Sequence, residues 1–74
     1  MSRLPRIRGT EAIAALRKEG FTVLRIKGSH HVLGRSDGKI VVIPVHPGED
    51  LGPGLLRQIL REVDLSVDDF LKLL

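Results

Sequence analysis

Two adjacent histidines stand in the segment IKGSHHVLGRSDGK, residues 26–39, which contains two of the 3 histidines in the chain. An imidazole has an ordinary pKa of about 6.5, so its neutral and protonated forms are both available near pH 7. It can therefore act as a general base, as a general acid, or as both in turn. Among the basic side chains of this segment, such a group could transfer protons during cleavage of a phosphodiester. The alternative interpretation is turn chemistry with incidental imidazoles.

Positive side chains and small turn residues surround the two histidines. The pentacoordinate phosphorane formed during such a cleavage carries extra negative charge, which fixed cations or backbone N–H groups must stabilise. Lysine and arginine supply the cations, and a Gly-Ser turn supplies hydrogen-bond donors. We therefore predict phosphate contacts from six residues of this region: Arg25, Lys27, Gly28, Ser29, Arg35 and Lys39.

His30 and His31 cannot both serve this chemistry if their segment is extended, because neighbouring residues of a strand point to opposite faces. The apolar pattern does not choose between them, since both faces of the segment carry apolar residues. His46 ends the third apolar run, directly before Pro47 and Gly48. We interpret His46 as a strand-end residue bonded to loop backbone. The alternative is a second proton carrier, if the fold brings it beside His30.

Size and composition limit the possible classes of protein. The 74 residues suffice for one core but not for two, so we predict a single domain over residues 1–74 with a basic N-terminal arm at 1–9. The chain has no cysteine, no carboxylate cluster and no histidine-rich ligand set, so we predict neither a metal nor a cofactor. No apolar run is long enough for a membrane span or a secretory signal, and we expect a cytoplasmic location without membrane contact.

The distribution of charge favours a polyanionic partner. The chain carries 12 Lys and Arg against 9 Asp and Glu, a formal net charge of +3, and most of the positive residues lie in its first half. Acidic residues concentrate in the second half, which suggests that one face is basic. An ordinary solvated surface is the alternative that charge alone leaves open.

Apolar periodicity and turn signals predict a helix over 11–19, strands over 21–27, 30–35 and 39–45, a helix over 54–63 and a short helix from residue 66. Thr10 is the expected N-cap of the first helix, Gly20 its stop, and Pro53 the first position of the second. Antiparallel hairpins are the natural connections between the strands. The predicted fold class is therefore α+β, with the α-β-β-β-α topology of the double-stranded-RNA-binding domain, a three-stranded antiparallel sheet with helices on one face, and a short extra C-terminal helix.

Three local features of the strands carry more specific expectations. The third strand is a continuous apolar run, which predicts that it is the strand most covered on both faces. Asp37 and Gly38 predict a primed hairpin turn. Gly34 within the second strand predicts either a β-bulge or a point of close approach.

The motifs KGSHHV, DGK, VVIPVHPGEDLGPGLLRQIL and DLSVDDFLKLL resemble the HicA toxins, also called YcfA-like proteins. The resemblance covers nearly the whole chain, from Gly20 to Leu74, with a looser match in the first helix. It implies a small ribonuclease that cleaves messenger RNA, is neutralised by a HicB antitoxin, and has the double-stranded-RNA-binding-domain type of fold. In that family the histidine directly after a glycine and a small residue is catalytic, and in KGSHH this pattern selects His30. His31 is then a structural residue or a weak RNA contact.

Low aromatic content bears on how RNA would be recognised. The chain has 2 phenylalanines, no tryptophan and no tyrosine, and both phenylalanines fall on predicted core stripes. A stacking platform for bases is therefore missing, and we expect shape and backbone contacts to dominate, with a salt-sensitive affinity. Two alternatives to a metal-independent ribonuclease remain: a non-catalytic RNA-binding module on the same fold, and a protein-interaction domain for an acidic partner. The oligomeric state stays open, with a heteromeric antitoxin complex expected.

Overall fold

One helix, three strands and two further helices follow each other along the chain in a computed structural model that describes residues 3–74. The elements are α1 (Gly9–Lys18), β1 (Thr22–Lys27), β2 (His30–Gly34), β3 (Ile40–Pro44), α2 (Pro53–Glu62) and α3 (Val67–Leu71). The strands form one antiparallel sheet in the order β1-β2-β3. The predicted α+β class and the α-β-β-β-α order with a short C-terminal helix are confirmed.

One side of the sheet packs against the helices. Leu33 of β2 pairs with Val41 of β3, and both are almost completely buried together with Ile43. The buried apolar residues form one cluster that includes Phe21 and Phe70, at 1% and 0% exposure. Both phenylalanines are therefore core residues, as their positions in the sequence predicted.

The expectation that β3 is covered on both faces is wrong. Its residues alternate between buried and exposed, and Ile40 and Val42 keep 54% and 43% of their surface exposed. β3 is an edge strand of the sheet, and β2 is the central strand. A continuous apolar run does not show whether the outward face of a strand is covered, because that depends on elements distant in sequence.

α1 begins two residues earlier than the sequence suggested. Its first residue is Gly9 and its N-cap is Arg8, so the prediction of Thr10 as N-cap is wrong. The Arg8 backbone N–H donates to the Glu11 carboxylate at 3.0 Å, which satisfies one N-terminal donor in the manner of a capping box. A side chain at Gly9 would collide with the carbonyl oxygen of Pro44, so glycine allows the helix to start against the end of β3.

α1 ends at the predicted glycine. Gly20 has a φ of +90° and donates its N–H to the carbonyl of Arg17, while Phe21 donates to the carbonyl of Leu16. This pair of bonds is the Schellman motif, which closes the last helical carbonyls. It also places Phe21 directly before β1, with its side chain buried in the core.

The start signals of the other helices are confirmed. α2 has Gly52 as its N-cap and Pro53 as its first residue. Ser66 caps α3, because its hydroxyl accepts the backbone N–H of Asp69 at 3.0 Å. Both signals lie within three residues of the helix that they start, which explains why they can be recognised locally.

The basic segment before α1 lies against the core. Ile7 is 4% exposed, and its carbonyl accepts the N–H of Leu51 at 2.7 Å. Arg8 forms an isolated antiparallel bridge with Asp50. Met1 and Ser2, the first residues of the predicted arm, lie outside the described residues.

The β2–β3 connection differs from the expected primed turn. Gly38 has a φ of +91°, while Asp37 keeps an ordinary negative φ. Gly38 donates to the Arg35 carbonyl at 2.9 Å, and Arg35 donates to the Lys39 carbonyl at 3.0 Å. The loop is therefore the three-residue type, in which a β-turn precedes a left-handed glycine, and not a two-residue primed turn.

Candidate functional site

The side of the sheet that faces away from the helices carries the candidate site, and we call it the open face. Directly paired residues share a face of a sheet, so the partners of exposed Ile40 and Val42 can be followed across the strands. The open face comprises Thr22, Leu24, Arg25, Lys27, His30, Val32, Gly34, Ile40, Val42 and Pro44.

An irregularity in β1 brings two cations onto the open face. The register shifts between Val23 and Arg25, so Val23 pairs with Leu33 on the helix side while Arg25 pairs with Val32 on the open face. In regular alternation, Val23, Arg25 and Lys27 would all share the helix side. The extra residue of this β-bulge therefore turns Arg25 and Lys27 toward the solvent.

Leu24, the extra residue of the bulge, accounts for the glycine in β2. A Cβ at Gly34 would lie 2.6 Å from Leu24 Cδ1 and 3.1 Å from Ile40 Cδ1. Gly34 is thus a point of close approach, one of its two predicted roles, while the bulge is on the neighbouring strand.

His30 lies on the open face between a cation and an apolar residue. It pairs with Lys27 of β1 on one side and with Pro44 of β3 on the other. His30 and Lys27 are both exposed, so the imidazole and the ammonium group are accessible to a large ligand. The three positions span two strand spacings, about 10 Å.

The turn that precedes His30 is set by glycine. Gly28 and Ser29 connect the Lys27–His30 pair, and Gly28 has a φ of +60°. Ser29 does not share this positive φ, and a positive φ at only the first of two loop residues is the pattern of a type II′ hairpin turn. The Ser29 carbonyl also accepts the N–H of Val45 at 2.7 Å, which ties this turn to the end of β3.

His31 occupies the opposite side of the sheet. It pairs with the completely buried Ile43 and is itself half-buried. Its Nδ1 atom is buried and has no hydrogen-bond partner within residues 3–74. The structure therefore separates the two adjacent imidazoles, and the one on the open face is His30.

Two of the predicted phosphate contacts are engaged by carboxylates. Arg35 forms a two-bonded ion pair with Asp37, at 2.9 and 3.1 Å, and its guanidinium lies 4.6 Å from the centre of the Phe21 ring. Lys39 Nζ lies 2.8 Å from a carboxylate oxygen of Asp64. Arg25 and Lys27 have no such partner among the described residues, which leaves them as the available cations near His30.

These ion pairs shift the titration of their carboxyl groups. The hydrogen bonds from Arg35 lower the pKa of Asp37, and the hydrogen bond from Lys39 lowers the pKa of Asp64. The same contact with Asp37 raises the pKa of Arg35 above its already high ordinary value. The carboxyl groups of Asp37 and Asp64 are exposed to water, whereas Arg35 is half-buried; the exposure of the carboxylates weakens the energetic value of the pairs.

A groove of about 410 Å³ opens beside His30, between β3 and α2. His30, Val42 and Pro44 line its sheet wall, and Leu55, Gln58 and Glu62 line its helix wall. We call this space the β3–α2 groove. No single sequence motif pointed to it, because its walls come from segments separated by the loop before α2.

His46 lies in the exposed loop after β3 and does not line the β3–α2 groove. Its carbonyl accepts the N–H of Glu49 at 3.1 Å, which closes the loop turn. Within residues 3–74, no three His, Asp or Glu side chains are grouped so that they could hold a metal ion. None of the described helices has the length and apolar character needed to cross a membrane.

Comparison with known proteins identifies the family. The family model described as the HicA toxin of bacterial toxin–antitoxin systems matches residues 9–65, from the start of α1 to just before α3. A search of curated proteins found no match. The matched region contains the whole sheet, His30 and the β3–α2 groove, and the chain belongs to the HicA toxin family of bacterial toxin–antitoxin systems.

Proposed function

We propose that this toxin is a metal-independent endoribonuclease that cleaves messenger RNA with His30 as its general acid and base. The observation that supports the proposal is the exposed His30 on the open face, paired across β1 with the exposed Lys27, in a chain of the HicA family. Its neighbour His31 lies on the opposite face of the sheet, where it pairs with the buried Ile43.

The chemistry requires one proton to leave and one to arrive. His30 takes the proton of a ribose 2′-hydroxyl, whose oxygen forms a bond to the adjacent phosphorus. The bond from phosphorus to the 5′-oxygen then breaks, and the imidazolium returns a proton to that oxygen. The products are a 2′,3′-cyclic phosphate and a free 5′-hydroxyl, and His30 ends in its starting form.

Lys27 and Arg25 are the proposed main phosphate contacts. Both lie on the open face, and Lys27 is the direct cross-strand neighbour of His30. An ammonium group at that position offsets the charge that develops on the phosphorane oxygens. Gly28 and Ser29 form the turn between Lys27 and His30, and they add backbone N–H and hydroxyl donors. Arg35 and Lys39 remain predicted contacts at longer range, where their carboxylate partners must be displaced.

A HicB-type antitoxin is the proposed partner in the cytoplasm, where the substrate RNA is found. Antitoxin bound over the open face would cover His30 and Lys27 at once. The exposed Leu24, Ile40 and Val42 on the same face supply apolar surface for such a contact. Inhibition would then follow from burial of the imidazole, with no conformational change in the toxin.

A cleavage assay in excess EDTA tests the proposal. The chain, purified free of antitoxin, is incubated with a messenger transcript, and the new 5′ and 3′ ends are identified. We expect cleavage with 2′,3′-cyclic phosphate ends, and a loss of at least a hundredfold in rate for His30→Ala, the usual scale for a general acid or base.

His46→Ala is the matched control, because it removes another exposed imidazole and should retain the wild-type rate. Cleavage by His30→Ala at the wild-type rate would refute the catalytic role. Wild-type protein that binds RNA but never cleaves it would favour a non-catalytic RNA-binding module. Absence of RNA binding at low salt would leave a domain that contacts only protein.

A further inference from the structure

We propose that the β3–α2 groove is a subsite for one nucleobase beside the scissile phosphate, and that Glu62 and Gln58 favour a base with an exocyclic amino group. The inference rests on the proposed function, since it places the phosphate at His30. The observation that supports it is that His30 lines the groove and also lies next to the exposed cation Lys27, so the groove is continuous with the proposed phosphate site.

The charges around His30 orient a nucleotide. Lys27 and Arg25 lie on β1, on one side of His30, whereas the groove lies on the other side, beyond Pro44. Among the described residues that line the groove, Glu62 is the one acidic side chain, and none is a lysine or an arginine. The carboxylate repels phosphate and the β1 cations attract it, so the RNA backbone follows β1 and a base turns toward α2.

The walls of the groove fit the faces of a base. Val42 and Leu55, with 43% and 37% of their surface exposed, supply apolar surface from opposite sides. Both phenylalanines are in the core, so base contact here uses aliphatic walls in place of aromatic stacking. Shape and backbone contacts therefore do not act alone, and one position of the RNA is read by its edge.

Glu62 and Gln58 supply the polar edge of the groove. They lie one helical turn apart on α2, and neither side chain has a hydrogen-bond partner within residues 3–74. A carboxylate accepts from the amino groups of cytosine, adenine or guanine, whereas uracil presents carbonyl oxygens beside its single N–H. The amide of Gln58 can donate to an adjacent ring nitrogen or carbonyl.

The position of Glu62 is unfavourable for the helix itself. It is the last residue of α2, where the helix dipole favours positive side chains and disfavours a carboxylate. No basic side chain pairs with it among the described residues. A side chain that is unfavourable for its own helix is expected where a bound ligand offsets the unfavourable charge.

Binding of non-cleavable RNA tests the subsite separately from catalysis. Fully 2′-O-methylated octamers of adenosine, cytidine and uridine lack the attacking hydroxyl, and their affinities are measured by fluorescence anisotropy at one salt concentration. For the wild-type chain, we expect adenosine and cytidine octamers to bind about tenfold more tightly than uridine, the scale of a hydrogen-bonded base edge. Glu62→Ala should reduce this ratio to within about twofold, and Gln58→Ala should reduce it in part.

Glu49→Ala is the matched control, because it removes an exposed carboxylate outside the groove and changes the net charge equally. It should strengthen binding of all octamers alike and preserve the ratio. A wild-type ratio near one, or a ratio unchanged in Glu62→Ala, would overturn the subsite even if the chain cleaves RNA in EDTA. A ratio that depends on Glu62 in a chain that never cleaves would keep the subsite and refute the nuclease. Failure to bind any octamer would refute both.

Discussion

His30 and His31 are neighbours in the chain but lie on opposite faces of the sheet, one paired with Pro44 beside the β3–α2 groove and the other with the buried Ile43. One peptide bond thus separates an exposed imidazole from one whose Nδ1 is buried without a partner in the described part of the chain. Substitutions at the two positions should therefore have opposite consequences for activity and stability.

Replacing His31 with leucine should keep RNA cleavage and raise the free energy of unfolding by about 1 kcal/mol, because it removes an unpaired buried polar atom. His30→Ala should change the free energy of unfolding by less than about 0.5 kcal/mol, as is usual at exposed positions. Urea denaturation of both variants measures the free energy of unfolding, and the EDTA cleavage assay measures the rate of RNA cleavage. Loss of cleavage in a stable His31→Leu protein would reverse the roles assigned to the two histidines.

The bulge in β1 predicts which cations set the salt dependence of RNA binding. Each phosphate contact contributes about 0.7 to the slope of log affinity against log salt concentration for a single strand. Lys27→Ala and Arg25→Ala should each reduce the slope by about that amount, since both side chains lie on the open face. Arg17→Ala, an exposed cation on α1, should leave it unchanged. Equal reductions in all three variants would indicate diffuse attraction to net charge, without a cationic face.

The contact between α1 and the end of β3 should be sensitive to a single methyl group. Gly9→Ala places that group against the Pro44 carbonyl and the Val45 side chain, and should lower the free energy of unfolding by about 1–3 kcal/mol through overpacking. Gly54→Ala is the control, because nothing lies within 4 Å of the added Cβ there. It should raise stability by about 0.5 kcal/mol by restricting the unfolded chain. Equal stability of the two variants in urea would show that α1 does not approach β3 this closely.

Acid should destabilise the fold through the two ion pairs of the β2–β3 region. The pKa values of Asp37 and Asp64 are lowered in the fold by Arg35 and Lys39. A lowered carboxyl pKa contributes stability above the ordinary value of about 3.9, and this contribution is lost as the pH falls through the folded-state pKa. The melting temperature of the wild-type chain should therefore fall below about pH 4.

The double variant Asp37→Asn, Asp64→Asn should show a shallower fall over the same range, because it lacks both titrating groups. Glu49→Gln, an exposed acid outside both pairs, should follow the wild-type curve. Thermal melts between pH 6 and 2.5 compare the three proteins. Parallel curves for the wild type and the double variant would show that neither pair contributes to the folded state.

The sequence by itself determined the order of the elements and several of their ends. Gly20, Pro53 and Ser66 mark helix ends at which the deciding hydrogen bonds or dihedral angles lie within a few residues, so local chemistry suffices. The prediction of Thr10 as the N-cap of α1 was wrong because the same local rules also allow the helix to start at Gly9. That start depends on the space beside Pro44, which local sequence does not show.

Tertiary structure decided how the candidate site is assembled. The face on which Arg25 and Lys27 lie depends on the bulge at Leu24, which strand periodicity does not reveal. The ion pair of Lys39 with Asp64 and the groove beside His30 depend on contacts between segments distant in the chain, whereas Arg35 is paired with Asp37, two residues away. Residue types therefore indicated which groups could carry out the chemistry, whereas strand register and helix docking determined which of them lie together, because side-chain direction in a sheet is set by pairing across strands.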